Sequence, residues 1–221
     1  MMKWLDKLER KCGRVAIPNL MLLIVGGMFF VFLCDLLLPE LQVSYWIALD
    51  RDLVFQGQVW RLITFIFEPT SNSIIWILFS LYFYYLAGSG LEGQWGSFRF
   101  NVYYLVGILG AIIAAMITGS GSNSYLNLSL FFGFAALYPN FQILLFFFIP
   151  IKIKYLAYLD ALLFLVSLIF GSWPQRAAIL FSLLNFLLFF GGDFFGKIRL
   201  WIQSRRRRKE FQSYFNNQNR W

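Results

Sequence analysis

The chain has 221 residues and a formal net charge of +8, and 59% of its residues are hydrophobic while 14% are charged. Soluble domains are about 45–50% apolar and about 25% charged, so this composition excludes an ordinary soluble domain and indicates a polytopic membrane protein. The 27 phenylalanines suit lipid-facing helices better than a core packed in water.

The N-terminal segment, residues 1–16, is basic and leads into an apolar stretch from about Val15 to Leu38. This stretch is longer than the hydrophobic part of a signal peptide, and no small-residue cleavage site follows it, so we expect an uncleaved first span. Cys12 and Cys34 would lie about 33 Å apart along a helix, which argues against a disulfide between them. Because the chain has no His and no Cys-x-x-Cys, we expect no metal and no cofactor.

The next connection, residues 39–72, is the longest in the chain and contains a distinctive stretch from Gln56 to Phe67. That stretch is too polar to cross a bilayer, yet it is rich in aromatic and aliphatic residues. It is typical of a structured segment at the membrane surface, with the Trp60 ring at headgroup depth and Arg61 fixing its position.

Apolar segments predict six membrane-spanning helices, at about 17–38, 73–89, 98–119, 124–138, 155–171 and 177–195. The fourth is the shortest, and we expect the others to enclose it. Residues 139–154 contain an apolar run of about ten residues bounded by prolines, which is too short to span and predicts an interfacial or re-entrant piece. The membrane domain therefore covers 17–195, and the basic tail at 196–221 is expected to lie on anionic lipid rather than on nucleic acid.

The basic residues predict the orientation of these spans. With six crossings, three of the 19 Lys and Arg residues lie in segments opposite the N-terminus, namely Arg51, Arg61 and Arg176, and the other sixteen share its side. Because cytoplasmic segments are rich in Lys and Arg, both termini are expected to be cytoplasmic. The compact chain has no retention signal, which favours a bacterial plasma membrane.

Two motifs carry a family resemblance. The first is Gly-Gln-x-Trp-Arg-x-x-Thr-x-x-Phe, starting at Gly57 and including Trp60 and Arg61, and the second is Leu-Glu-x-x-x-Gly-x-x-Arg-Phe, starting at Leu91 and including Glu92 and Gly96. Together with six spans and a long first outer loop, they resemble the rhomboid superfamily of intramembrane proteases and their inactive relatives, including the derlins. The resemblance implies an all-α, six-helix rhomboid-like bundle with a structured first outer loop. In such a bundle, Glu92 would bind backbone or Arg groups at the turn into the third span. Gly96 would let the chain reverse its direction in a tight turn.

The catalytic positions depart from the family pattern. Rhomboid proteases use a Ser in Gly-x-Ser-Gly on the fourth span and a His general base on the sixth, whereas this chain has Asn127-Leu-Ser129 on the fourth, Asn185 on the sixth, and no His. An amide cannot accept a proton near neutral pH, so the resemblance implies a pseudoprotease without enzymatic activity. By similarity to derlins and inactive rhomboids, it would bind transmembrane helices of client proteins and affect their turnover, sorting or extraction.

Several interpretations of the remaining polar residues stay open. Asn127, Ser129 and Asn185 are expected to hydrogen-bond between helices or to contact a client. Asp160 is either functional, as intramembrane acids often are, or paired with Lys154 or placed at the interface. The Gly88-Ser89-Gly90 stretch is interpreted as a turn at a helix end. Two other functions are also considered: a protease in which Ser129 uses an unusual base, and a small-solute transporter, for which the sequence shows neither an internal repeat nor a row of intramembrane charges.

Overall fold

The computed structural model of the protein describes residues 3–145 and 149–191, and these are mostly helical. The helices are α1 (Lys3–Cys12), α2 (Leu20–Leu37), α3 (Val43–Ile47), α4 (Arg51–Phe55), α5 (Arg61–Thr64), α6 (Ile74–Trp95), α7 (Ser97–Thr118), α8 (Ser124–Leu137), α9 (Ile153–Phe170) and α10 (Trp173–Gly191). Short 3₁₀ helices cover Gly13–Val15 and Phe65–Phe67, and the strands are β1 (Leu49–Asp50), β2 (Ser120–Gly121), β3 (Gln142–Leu145) and β4 (Ile149–Lys152).

Five of the described helices, α2, α6, α7, α9 and α10, are long and apolar enough to cross a membrane, which is the mark of an integral membrane protein. α8 has 14 residues and rises about 21 Å, less than the roughly 30 Å of a hydrocarbon core, so a sixth crossing stays a prediction. The end of the predicted sixth span, beyond residue 191, and the basic tail at 196–221 lie outside the described residues.

α8 lies at the centre of the helix packing. Among the α8 residues whose side chains the structure describes, eight are buried: Leu126, Asn127, Ser129, Leu130, Phe131, Gly133, Phe134 and Ala135. Aromatic contacts join it to its neighbours, with ring centroids 5.3 Å apart for Phe83 and Phe131 and 5.4 Å apart for Phe132 and Phe164. The expectation that the other helices enclose the fourth is confirmed.

The connection between α2 and α6 is folded, as expected for the first loop. Its strand β1 pairs with β2 in the turn between α7 and α8, with Leu49 opposite Gly121. The Arg51 amide also donates to the Gly119 carbonyl oxygen at 2.8 Å. Beneath this pairing, Leu49, Phe65, Ile66 and Ala115 form a small apolar core of their own. We call the end of the bundle that carries this loop and the α7–α8 turn the loop face.

Residues 139–154, expected as an interfacial or re-entrant piece, contain an antiparallel pair in which Gln142 of β3 lies opposite Lys152 of β4. The described fold is therefore helical with short strand pairs added, and the interfacial position of this piece stays a prediction. One local expectation was wrong. Gly88-Ser89-Gly90 is not a turn but lies inside α6. Glycine is needed at both ends of that triplet because a Cβ at Gly88 would lie 2.6 Å from the Met21 Cβ, and one at Gly90 would lie 2.5 Å from the Phe134 ring.

The helix α1 is held to the end of the bundle opposite the loop face. Arg99, in the first turn of α7, forms ion pairs with Asp6 at 3.0 Å and Glu9 at 2.8 Å. These pairs fix the N-terminal segment beside the turn that joins α6 to α7.

Candidate functional site

A buried polar cluster made of Tyr103, Ser129 and Asn185 joins α7, α8 and α10. The Tyr103 hydroxyl lies 2.7 Å from both the Ser129 carbonyl oxygen and the Ser129 Oγ. The Asn185 Nδ2 donates to the Ser129 Oγ at 3.3 Å and to the Tyr103 carbonyl oxygen at 3.5 Å. All three side chains are at most 4% exposed. We call these residues the Ser129 cluster.

The packing around Asn185 depends on a small residue of α7. A Cβ added at Gly107 would lie 2.9 Å from the Asn185 Nδ2 and would also overlap the Leu126 side chain. A cavity of about 20 Å³ lies beside the cluster, and its lining includes Gly107, Ser129, Ser182 and Asn185. That volume suffices for one water molecule. The absence of a side chain at Gly107 therefore makes room for the polar contact.

The Ser129 cluster is a hydrogen-bond network in which no side chain is basic enough to take the proton of the Ser129 hydroxyl. A serine becomes a nucleophile when a neighbouring base takes its proton. Both neighbours of the Ser129 Oγ are neutral groups, a phenol and a carboxamide. An uncharged carboxamide does not take up a proton near neutral pH, so neither of these two neighbours is a base for the hydroxyl, and their hydrogen bonds link the three helices.

Asn127 does not join Ser129 and Asn185. It lies next to the Tyr84 hydroxyl, which also approaches the Thr70 side chain, and Tyr104 is close to Tyr84. We call these four residues the Asn127 cluster. The Asn127 Nδ2 and Oδ1, the Thr70 Oγ1 and the Tyr104 hydroxyl are buried, and none has a hydrogen-bond partner within the described ranges.

Glu68 lies on the loop face, near the start of α8. The Asn123 Nδ2 donates to the Glu68 carbonyl oxygen at 2.7 Å and to that of Ile66 at 3.2 Å, so the backbone of this segment is fixed to α8. Burial of the Glu68 carboxyl disfavours its charged form and raises its pKa from 4.5 to about 7. Sequence patterns did not single out Glu68, because a carboxylate in a loop is normally solvated.

Arg61, expected to fix the position of the stretch from Gln56 to Phe67, is buried inside the first loop. The side chain is 1% exposed, and its Nη1 donates to the carbonyl oxygens of Tyr45 and Ala48, each at 2.7 Å. Its Nε donates to the Gln58 side chain at 2.7 Å. Arg61 therefore holds the first loop together from inside. Trp60 is half exposed and remains suited to a membrane surface, with its Nε1 donating to the Trp46 carbonyl oxygen at 3.3 Å.

The second motif forms the turn between α6 and α7. The Glu92 carboxylate accepts hydrogen bonds from the Asn19 amide at 2.9 Å and from the Ser97 hydroxyl at 2.6 Å. Gly96 separates the two helices with a φ of 83°, a conformation that glycine adopts without a steric penalty. The expected roles of both residues agree with this geometry, and Glu92 also joins the turn to the start of α2.

Asp160 lies in the second turn of α9 and is partly exposed. The Lys154 ammonium lies 5.2 Å from the centre of the Tyr155 ring, and no ion pair joins it to Asp160 in the part of the chain that the structure describes. Of the interpretations left open for Asp160, pairing with Lys154 is therefore not formed among the described residues.

No family model matches this chain, and no curated protein is significantly similar to it.

Proposed function

We propose that the protein is a catalytically inactive, rhomboid-like membrane protein that binds transmembrane helices of client proteins and affects their turnover, sorting or extraction. The observation that carries the proposal is the contact between Ser129 and Asn185. These residues stand on the fourth and sixth predicted spans, where the family resemblance puts the serine and the histidine. The chain contains no His to act as a base.

The loosely enclosed α9 supports a role in helix binding. Among its 18 residues, all within the described range, Ile153 and Phe164 are the ones that are buried. Much of its apolar surface therefore contacts lipid or another helix. Because α2 and α9 have 18 residues each and rise about 27 Å, slightly less than a hydrocarbon core, the bilayer around the protein is expected to thin, which lowers the cost of holding a client helix with polar residues. The half-exposed Trp60 would sit at the headgroups of the same leaflet as the loop face.

In this proposal the chain crosses the membrane six times and both termini are cytoplasmic, because most Lys and Arg residues would then face the cytoplasm. The loop face would be external. A bacterial plasma membrane is the proposed location, and lipid and client helices are the proposed partners.

The test uses purified protein and a tagged single-span substrate in liposomes. We expect no cleavage, no labelling by a serine-directed fluorophosphonate, and co-purification of the intact substrate. Photoreactive residues placed on the exposed faces of α6 and α9 are expected to capture the substrate. If neither face captures any protein, client binding is wrong.

A positive result for cleavage would support the protease alternative instead. Cleavage that is lost in Ser129→Ala would identify Ser129 as the nucleophile. Ser80→Ala is the matched control, because the Ser80 hydroxyl bonds to the Trp76 carbonyl oxygen of its own helix at 2.8 Å.

A further inference from the structure

The charged residues of the N-terminal segment divide between two environments. Its acidic residues, Asp6 and Glu9, form ion pairs with Arg99 of α7 at 3.0 Å and 2.8 Å. Leu5 of the same helix is buried. The negative charges of α1 are therefore neutralised within the protein, by a basic residue of the bundle.

The basic residues of the segment are exposed instead. They are Lys7, Arg10 and Lys11 of α1 and Arg14 of the 3₁₀ helix that follows it. None of the four forms an ion pair with a residue that the structure describes. Residues three and four positions apart are neighbours on a helix surface, so Lys7, Arg10 and Lys11 share one side of α1. We call these four residues the cationic patch.

The cationic patch lies at the edge of the membrane domain. The Asn101 Nδ2 of α7 donates to the Ile17 carbonyl oxygen at 3.1 Å, which fixes the connection between α1 and α2 to the bundle. The candidate spans α2 and α7 begin nearby, at Leu20 and Ser97. Val15, next to the patch, is apolar and 79% exposed. Cations beside an exposed apolar side chain at the start of a span are typical of a segment at a membrane surface.

Charge and position together identify the partner. Anionic phospholipid headgroups attract Lys and Arg at a membrane surface, and the attraction falls off within a Debye length. A zwitterionic headgroup has no net charge and attracts them much less. A dissolved polyanion, such as a nucleic acid, would neutralise the same charges but would leave the exposed Val15 side chain in water.

We propose that the cationic patch binds the headgroups of anionic phospholipids at the end of the bundle opposite the loop face, and that the ion pairs of Arg99 hold α1 in the orientation that exposes the patch. The patch is distinct in sequence from the basic tail at 196–221, for which contact with anionic lipid was expected from the sequence alone. The inference does not require client binding, so either of the two proposals can fail without the other.

The experiment measures which lipid lies next to α1 in a bilayer. Cys12, the exposed last residue of α1, carries a fluorophore in the otherwise unchanged Cys34→Ala protein. The protein is reconstituted in phosphatidylcholine vesicles that contain an equal fraction of doxyl-labelled phosphatidylglycerol or doxyl-labelled phosphatidylcholine. We expect the anionic quencher to be about twofold to threefold more effective at low salt. The ratio should approach one in about 1 M salt, where the Debye length is about 3 Å.

Two sets of substitutions test whether the charges of the patch are responsible. Replacing Lys7, Arg10, Lys11 and Arg14 together by Gln should bring the quenching ratio close to one, although the tail keeps its charges. The matched control replaces the two Lys by Arg and the two Arg by Lys, which keeps all four charges and should keep the ratio. Thermal unfolding in detergent checks that both variants are folded, and the salt dependence tests the same charges without any substitution.

Three results would overturn the inference. Equal quenching by the two lipids at low salt would show that the patch does not prefer anionic headgroups. A preference that persists in the Gln variant would place the anionic lipid elsewhere, for example at the tail. Quenching by neither lipid would show that α1 does not contact the bilayer, and retention of a single-stranded RNA by the same protein would then make the patch a nucleic-acid surface. None of these results depends on whether a client helix is captured.

Discussion

The Asn185 Nδ2 lies 3.3 Å from the Ser129 Oγ, and it is the amide that donates in this pair. Catalysis by a serine needs the opposite polarity, with the neighbour accepting the hydroxyl proton. The Tyr103 hydroxyl occupies a second site on the same oxygen, at 2.7 Å. Ser129 is therefore a junction between three helices, and the free energy of these bonds contributes to helix association.

Replacing Tyr103 by Phe tests this junction. The change removes two 2.7 Å contacts to Ser129 while keeping the ring and its packing. Because hydrogen bonds between membrane helices contribute about 0.6–2 kcal/mol, we expect a loss of about 1 kcal/mol in the free energy of unfolding in detergent.

A double-mutant cycle with Ser129→Ala extends that test. Since both changes remove the same interaction, the double variant should be less destabilised than the sum of the single variants. Strictly additive losses would show that Tyr103 and Ser129 do not act together.

Replacing Arg61 by Lys should loosen the first loop. An ammonium group cannot reproduce the three directed bonds that the guanidinium makes to Gln58, Tyr45 and Ala48. Leaving buried carbonyl groups unsatisfied costs about 2–4 kcal/mol in total. We expect faster proteolysis within residues 43–67 and a lower unfolding temperature.

Arg51→Lys is the matched control for that change. Arg51 makes an exposed pair with Asp52 at 3.0 Å, and such pairs contribute little. Equal proteolysis of the two variants would contradict the structural role of Arg61.

Two glycines of α6 are expected to respond oppositely to alanine. Gly88→Ala should destabilise the protein by about 1–3 kcal/mol, because the new Cβ would lie 2.6 Å from the Met21 Cβ and push α2 away. Gly93→Ala should stabilise it by about 0.5–1 kcal/mol, since a Cβ there meets nothing within 4 Å and alanine favours a helix. Thermal unfolding in detergent measures both, and the same sign for both variants would contradict the close contact between α2 and α6.

Glu68 predicts a pH dependence of stability. Its folded pKa of about 7 exceeds its ordinary value of 4.5, so between these values the folded protein keeps a proton that the unfolded chain releases. The free energy of unfolding should therefore fall by at most about 3 kcal/mol as the pH rises from about 4.5 to about 7. Above about pH 7 it should level off.

Glu68→Gln should remove the part of the pH dependence of stability that Glu68 contributes. Unfolding temperatures measured from pH 4 to 8 provide the test. The exposed Glu40→Gln is the control and should keep the slope of the natural protein. A slope unchanged in Glu68→Gln would show that Glu68 does not carry the effect.

Sequence reasoning found the long helices because hydrophobicity over some 20 residues is a strong signal. It also found the turn at Gly96, because a positive φ favours glycine. It missed the β3–β4 pair, because a short apolar run between prolines is equally compatible with an interfacial segment. Pairing of strands depends on the partner strand, which the local pattern does not reveal.

The candidate site was predicted in part. Ser129 and Asn185 were expected to bond between helices, and their side chains meet. Their partner Tyr103 was not predicted. Nor was it predicted that Asn127 and Ser129, two residues apart, have different neighbours. Residues two apart on a helix face different directions, so the neighbours of each depend on how α6, α7 and α10 pack around α8. The burial of Arg61 was not predicted for a similar reason, since the carbonyl groups that surround it come from residues 13 and 16 positions earlier.

The pairing of β1 with β2 constrains how the protein is assembled during synthesis. Leu49 and Gly121 are partners, yet α6 and α7 lie between them in the chain. The first loop leaves the ribosome well before its docking strand exists, so it must wait at the membrane surface with β1 unpaired. The bonds of Arg61 come from within the loop and are available during that interval. The hydrogen bonds of Arg61 within the loop can thus form before β1 pairs with β2. That pairing completes the loop face once α7 has been inserted.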